Sequence, residues 1–359
     1  MNDSSSGEGV ARLVIRQPDD WHVHLRDGQL LTGVVNHTAR QFARAIVMPN
    51  LDPPVTTVAE AAAYRERILA AVEPGLVFTP LMTAYLTDAT DPAEIASGFA
   101  SGVLAAAKLY PAHATTNSAF GVTDVERIYP VLELMQRIGM PLLLHGEVTD
   151  KSVDVFDREA VFVDRVLPKI IAEFPALRVV LEHITSEEAV AFVAEAGPNL
   201  AATITPHHLM INRNAMFDGG IRPHLYCLPV AKREHHRLAL RRAATSCNSK
   251  FFLGTDSAPH PDGDKESSCG CAGIFNAPVA LETYATVFEE EGALDRLEGF
   301  ASRHGAQFYG LPVNDRFIVL ERTPWRVPEA LILRGARVLP FQSGAQLPWR
   351  ALGPVDRLT

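Results

Sequence analysis

RVVLEHI, residues 178–184, is the stretch from which the fold is read. Val179, Val180 and Leu181 run on without polar alternation and stop abruptly at Glu182 and His183. A strand solvated on one face alternates, so an unbroken apolar run ending this way fits a strand covered on both faces, as in a parallel sheet. The same form recurs in RAIVMPN (44–50), MPLLLHGE (140–147) and KFFLGTDS (250–257). Extended along the chain, the reading predicts eight strands near 12–24, 44–50, 76–84, 104–110, 141–147, 178–184, 200–206 and 251–256. Helical patterns lie between them, among them 57–72, 123–138 and 232–246, and Thr123 with Glu126 has capping-box spacing. Eight strands alternating with helices predict an α/β fold, a (β/α)8 TIM barrel. From about residue 296 the chain offers one more helix, SRHGAQFYG (302–310), and a strand near 316–320. These read as a short C-terminal extension packed on the barrel, so that residues 1–359 form a single domain.

Composition narrows the function. Of 359 residues, 47% are hydrophobic and 21% charged, ordinary for a chain that buries a large core. A formal net charge of -9 argues against a nucleic-acid footprint, which wants clustered lysine and arginine in excess. Cys227, Cys247, Cys269 and Cys271 form no secreted disulfide framework, and Cys269-Gly-Cys271 lacks the spacing of a metal pair, so they are taken as structural or incidental. The opening MNDSSSGEGV has neither the basic start nor the apolar run of a secretory signal and reads as a flexible tail over 1–10. No stretch approaches the roughly 18 apolar residues that a membrane span needs. A cytoplasmic, reducing setting and a small-molecule substrate are expected, with neither nucleic acid nor membrane as partner.

In a barrel of this type the active site lies at the C-terminal ends of the strands, so polar residues there carry functional weight. The first strand ends in WHVHLRD (21–27), where alternation lets His22, His24 and Arg26 share a face. Two neutral imidazoles so placed can hold a metal ion such as zinc. Strand five ends at His145, strand six at His183, strand eight at Asp256, and strand four carries Lys108 after three alanines. A buried ammonium beside four histidines is expensive and repels metal, so Lys108 must be modified or paired. A neutral lysine amine can take up carbon dioxide to form a carbamate, whose two oxygens can bridge two cations. The inferred centre has one metal on His22, His24 and Asp256, a second on His145 and His183, and carboxylated Lys108 (N6-carboxylysine) between them. Such a pair lowers the pKa of a water toward neutrality and polarises a carbonyl, as amide hydrolysis or its reversal requires. Asp256 beside that water would act as general base and acid.

These residues match the pattern of the amidohydrolase superfamily. More closely, nearly the whole chain resembles the class II dihydroorotases, through PDDWHVHLRDG, AIVMPNLDPP, AAKLYPAHATTNS, LLLHGEV, LEHIT, TPHHLMINRN, RPHLYCLP, GTDSAPH and KESSCGCAG. The resemblance implies reversible cyclisation of N-carbamoyl-L-aspartate to L-dihydroorotate, in pyrimidine biosynthesis, by a homodimer with two zinc ions or other divalent ions per chain. It implies that Arg26, Asn50 and His260 bind the substrate carboxylate, the planar fork of Arg26 suiting that group. It further implies that His145 also faces the substrate, that backbone groups of Leu228 and Ala272 read the ring's amide edges, and that Thr115 and Thr116 belong to a loop closing over it. His113, and Pro261 to Asp264, depart from the pattern without touching a proposed ligand. The rival is another cyclic-amide hydrolase, hydantoinase-like or allantoinase-like, and Arg26, the MPN segment and GTDSAPH favour the first reading.

Overall fold

The computed structural model describes residues 11–356. The expected tail over 1–10 lies outside them. Strands β1 (Arg12–Arg16), β2 (Asp20–Val23), β3 (Arg44–Val47), β4 (Thr79–Tyr85), β5 (Leu104–Leu109), β6 (Leu142–His145), β7 (Val179–Glu182), β8 (Leu200–Ile204), β9 (Phe251–Leu253) and β10 (Phe317–Glu321) follow in chain order. Strands β2 to β9 form one eight-stranded parallel sheet in sequential order, with helices between successive strands. It closes on itself where β2 meets β9, through the parallel bridge Val23–Ser257 and the bonds Asp256 N to His22 O (2.8 Å) and His24 N to Ser257 O (3.0 Å). The chain is thus a (β/α)8 barrel. Two apolar shells hold it: Ile46, Ala106, Leu143, Val180, Ala201 and Phe252 cluster inside, while Val47, Ala107, Leu142, Leu181, Ala202 and Leu253 join the larger core under the helices.

The expected first strand, 12–24, is two strands. Pro18 has no N–H for a ladder, and β1 leaves the barrel to pair antiparallel with β10, which pairs in turn with Arg350–Val355. A three-stranded sheet therefore joins the chain's first described residues to its last. The helix expected over 57–72 runs Val58–Ala71 under a capping box of Thr57 and Glu60. That over 123–138 starts as a 3-10 turn, Val125–Ile128, before the α-helix Tyr129–Ile138. Pro130 cannot donate to Glu126, which breaks the α-helical ladder there. The Thr123–Glu126 capping box does not form: Asp124 caps the turn through Glu126 N (3.0 Å), and Thr123 Oγ1 donates to Asp88 at 2.6 Å. The segment 302–310 contains the helix His304–Tyr309, preceded by a π turn at Gly299–Arg303, and β10 falls where the last strand was expected.

Candidate active site

Side chains two residues apart on a strand face the same way. One step beyond the interior residues Ala106, Leu143, Val180 and Ala201, toward the C-terminal rim, stand Lys108, His145, Glu182 and Thr203, each no more than 1% exposed. The barrel interior therefore turns from apolar to polar within one layer. At the closing seam β2 adds His22, and the segments after β2 and β9 add His24 and Asp256. His183 would face the helices if β7 continued, but its φ of 44° turns it inward beside Glu182. Asp256 (φ 47°) and Arg26 (φ 60°) are left-handed as well. Such conformations cost non-glycine residues about 1–3 kcal/mol each and persist only where the surroundings fix them. Here His183 N donates to Thr203 Oγ1 at 2.7 Å and Asp256 N to His22 O at 2.8 Å.

His22 Nε2, His24 Nε2 and Asp256 Oδ1 make a triangle with edges of 3.2, 3.3 and 3.1 Å. Donors bound tetrahedrally to one ion at ordinary zinc distances stand about 3.3 Å apart, so these three fit a shared metal. The outer nitrogen of His24 is held by Asn50 Oδ1 at 2.9 Å, and that of His22 lies 2.9 Å from Glu182 Oε1, without hydrogen-bond geometry. Carboxylates and amides in these places orient ligating imidazoles. His22, Glu182 and His183 form a second convergent group. The His145 ring lies 4.9 Å from that of His183, with Nε2 bonded to Glu147 at 2.8 Å. Lys108 is ion-paired with Glu182 and lies 4.9 Å above the Tyr110 ring. Of the six expected ligands, three meet at one point and His183 adjoins them, while Lys108 and His145 line the same layer, each turned to a carboxylate.

Several buried atoms in this layer lack hydrogen-bond partners among the described residues: His183 Nδ1, Glu182 Oε1 and Glu147 Oε1. An unsatisfied buried polar atom costs about 1–3 kcal/mol, and a cation among these donors would relieve it. Burial works against charging of His22, yet the carboxylates of Glu182 and Asp256 raise its pKa to about 9. His24 is lowered to about 4, first by burial. Burial would raise Asp256, but His22, His24 and His183 outweigh it and hold the carboxyl well below its ordinary range.

Above this layer is a cavity lined by Arg26, Asn50, Thr115, Thr116, Leu228 and Ala272 with the histidines and Asp256. Arg26 Nε donates to Pro259 O (3.0 Å) and its Nη2 to His260 Nε2 (2.8 Å). Because the guanidinium can only donate, His260 Nε2 is the bare nitrogen there, and its 3.1 Å approach to Ala272 O is a contact without a proton. Burial and Arg26 lower His260 to about 2, consistent with a neutral ring. No carboxylate among the described residues pairs with Arg26; neighbouring Asp27 instead caps a helix through Gly28 and pairs with Arg67. Asn50 Nδ2 donates to Thr116 O (3.1 Å), and Thr116 Oγ1 donates to Ala272 O (3.3 Å), laying the 115–116 loop across the cavity mouth. A larger groove, between the loop near Val122 and the helix bearing Arg165, gathers no comparable cluster among the described residues.

Residues 15–314 match the amidohydrolase family. A dihydroorotase from Novosphingobium aromaticivorans is 68% identical over 338 residues, 94% of this chain and 98% of that protein. The chain belongs to the dihydroorotases. Among solved structures, a dihydroorotase from Campylobacter jejuni superposes with a TM-score of 0.87 at 37% identity, covering 95% of this chain and 97% of that one. A dihydroorotase from Saccharomyces cerevisiae, in complex with 5-fluoroorotic acid, gives 0.89 at 33% identity, over 97% and 100%.

Sequence reasoning overlooked three members of this dihydroorotase site. Glu182, between His22 and Lys108, is the most consequential; strand parity counted from Val180 would have found it. Asp20 accepts from Thr255 Oγ1 (2.6 Å), Thr255 N (2.8 Å) and His22 N (3.2 Å), bracing both ligand segments at the seam. Glu147, two residues after His145, holds that ring. Each lies within two residues of an expected ligand, which was the available signal.

Proposed function

We propose that this dihydroorotase interconverts N-carbamoyl-L-aspartate and L-dihydroorotate in the cavity above His22, His24 and Asp256, with zinc or another divalent ion at two positions. His22, His24 and Asp256 would hold one ion, His145 and His183 the other, and Lys108 as N6-carboxylysine would join them. Bound there, the ions supply Lewis acidity and an activated water.

The observation that carries the substrate class is Arg26: a partly buried guanidinium with no carboxylate partner among the described residues, opening into the cavity beside Asn50. It calls for an anion with planar geometry. With the ring carboxylate of dihydroorotate on Arg26 and Asn50, near His260, the amide to be cleaved lies toward the histidines. Backbone groups of Leu228 and Ala272 meet its amide edges, and Thr115 and Thr116 cover it. Asp256 takes the proton of the ureido nitrogen as the ring forms and water departs, and returns it to the leaving nitrogen as the ring opens. The loop across the mouth excludes bulk water during that transfer.

His24 takes its orientation from Asn50, so one amide ties the metal-binding face to the carboxylate-binding face. The resemblance extends the reading to a homodimer, and to one domain in which the segment from about 296 packs on the barrel. The test is ring opening of L-dihydroorotate by purified protein, with metal counted on the same sample and hydantoin and allantoin assayed beside it. Stereospecific turnover with about two ions per chain supports the reading; turnover of hydantoin or allantoin alone assigns the site to the rival class.

A further inference from the structure

Lys265 ends the short helix Asp262–Lys265 and is 2% exposed. No carboxylate among the described residues pairs with it. Its Nζ instead donates to three main-chain carbonyls: Tyr226 O at 2.9 Å, Cys271 O at 2.7 Å and Gly273 O at 2.8 Å. Cys271 and Gly273 flank Ala272, and Tyr226 precedes Leu228 by two residues. Gly273 N also donates to Tyr226 O at 3.0 Å, joining the two segments directly. At Gly273 the backbone has φ +150°, and an added Cβ would lie 2.7 Å from Ala258 O, so the main chain here is pressed against its neighbour.

We propose that Lys265 is a positioning residue for the substrate ring, one ammonium holding in register the two backbone segments, at Leu228 and Ala272, that face the ring's amide edges. Three carbonyls match the three N–H groups of an ammonium. Burying a cation without a counter-charge is costly unless its hydrogen bonds are satisfied; of the three acceptor residues here, Gly273 lines the cavity, and Tyr226 and Cys271 directly precede the lining residues Cys227 and Ala272. The Tyr226 ring, 5.6 Å below Nζ, completes the enclosure. The inference rests on the dihydroorotase reading of the cavity, since it assigns the two segments to the ring.

The experiment compares metal-loaded wild type with Lys265→Met, of similar length without donors, and Lys265→Gln, which keeps two N–H groups on a shorter arm. Metal content and the KM and kcat for L-dihydroorotate are measured for each. Loss of charge-assisted bonds to these two segments should raise KM at least about tenfold in Lys265→Met. Metal content should stay at the wild-type level with kcat far less affected, and Lys265→Gln should recover part of the KM. A folded Lys265→Met with wild-type KM, or one that loses kcat alone, overturns the proposal. Should Lys265→Met fail to fold, Lys265→Gln decides by the same criterion. Absence of turnover in wild type would refute the substrate reading itself, a result distinct from either variant outcome.

Discussion

Gly305→Ala places a methyl group where the barrel floor has no room for one. Gly305 lies in the helix His304–Tyr309, where helix propensity alone favours alanine by about 1 kcal/mol. The tertiary context reverses the sign. An added Cβ would lie 2.0 Å from Trp21 Nε1 and 2.5 Å from two further ring atoms. The indole cannot retreat: Tyr309 stacks on it at 4.4 Å with planes 6° apart, and Phe252 meets it edge-on at 6.2 Å. Overpacking of a rigid site costs about 3 kcal/mol at the upper end of its usual range, so the net change is about 2 kcal/mol of destabilisation. For a chain of 359 residues, this lowers Tm by roughly 3 °C. Because Trp21 immediately precedes His22, a displaced indole also disturbs the triangle of His22, His24 and Asp256. Thermal unfolding with and without bound metal, and metal content after dialysis, measure both effects. An unchanged or raised Tm with undiminished metal would refute the account, because propensity would then have prevailed over a contact of 2.0 Å.

Three further outcomes are expected. Lys108→Ala should lose the paired metal site, and two tightly held ions in that variant, by elemental analysis, would contradict the bridging role. Asp256→Asn should lower turnover by a factor on the order of 10² to 10⁴ while L-dihydroorotate binding falls much less; parallel losses with metals intact would remove Asp256 from the proton transfer. Glu182→Gln should weaken metal retention about 10- to 100-fold, the usual consequence of altering a group that orients a ligating imidazole. Competition with a chelator reads this directly, and wild-type retention would show that Glu182 does not orient His22.

The barrel was legible because its strands are short apolar runs ended by polar residues, a local signal that buried parallel strands share. The ligand set was legible for a related reason: a charge at a strand end has few places to point except into the rim. Legibility failed where a distant partner decided the outcome. The segment 12–24 reads as one strand because β10, which takes β1 away from the barrel, lies some 300 residues further along the chain. Thr123 has the spacing of a cap, but Asp88 from a preceding loop captures its hydroxyl. Lys265 opens the quoted segment KESSCGCAG, but what it holds is not legible there, since its acceptors are carbonyls, which every residue possesses.

Glu182 and His183 show how a local rule can hold and still mislead. Alternation places one of two neighbours inside the barrel, and reading His183 as the functional residue leaves Glu182 among the helices. Parity from Val180 puts Glu182 inside, and His183 joins it only because its backbone turns left-handed, a conformation no side-chain pattern announces. Asp256 and Arg26 depart in the same way at the same rim. Three costly conformations at one rim, each held by bonds from an adjacent strand or loop, are what converts alternating strand ends into a convergent site. At this rim the strain sits with residues that carry chemistry, and the helices and apolar shells beneath supply the stability that tolerates it.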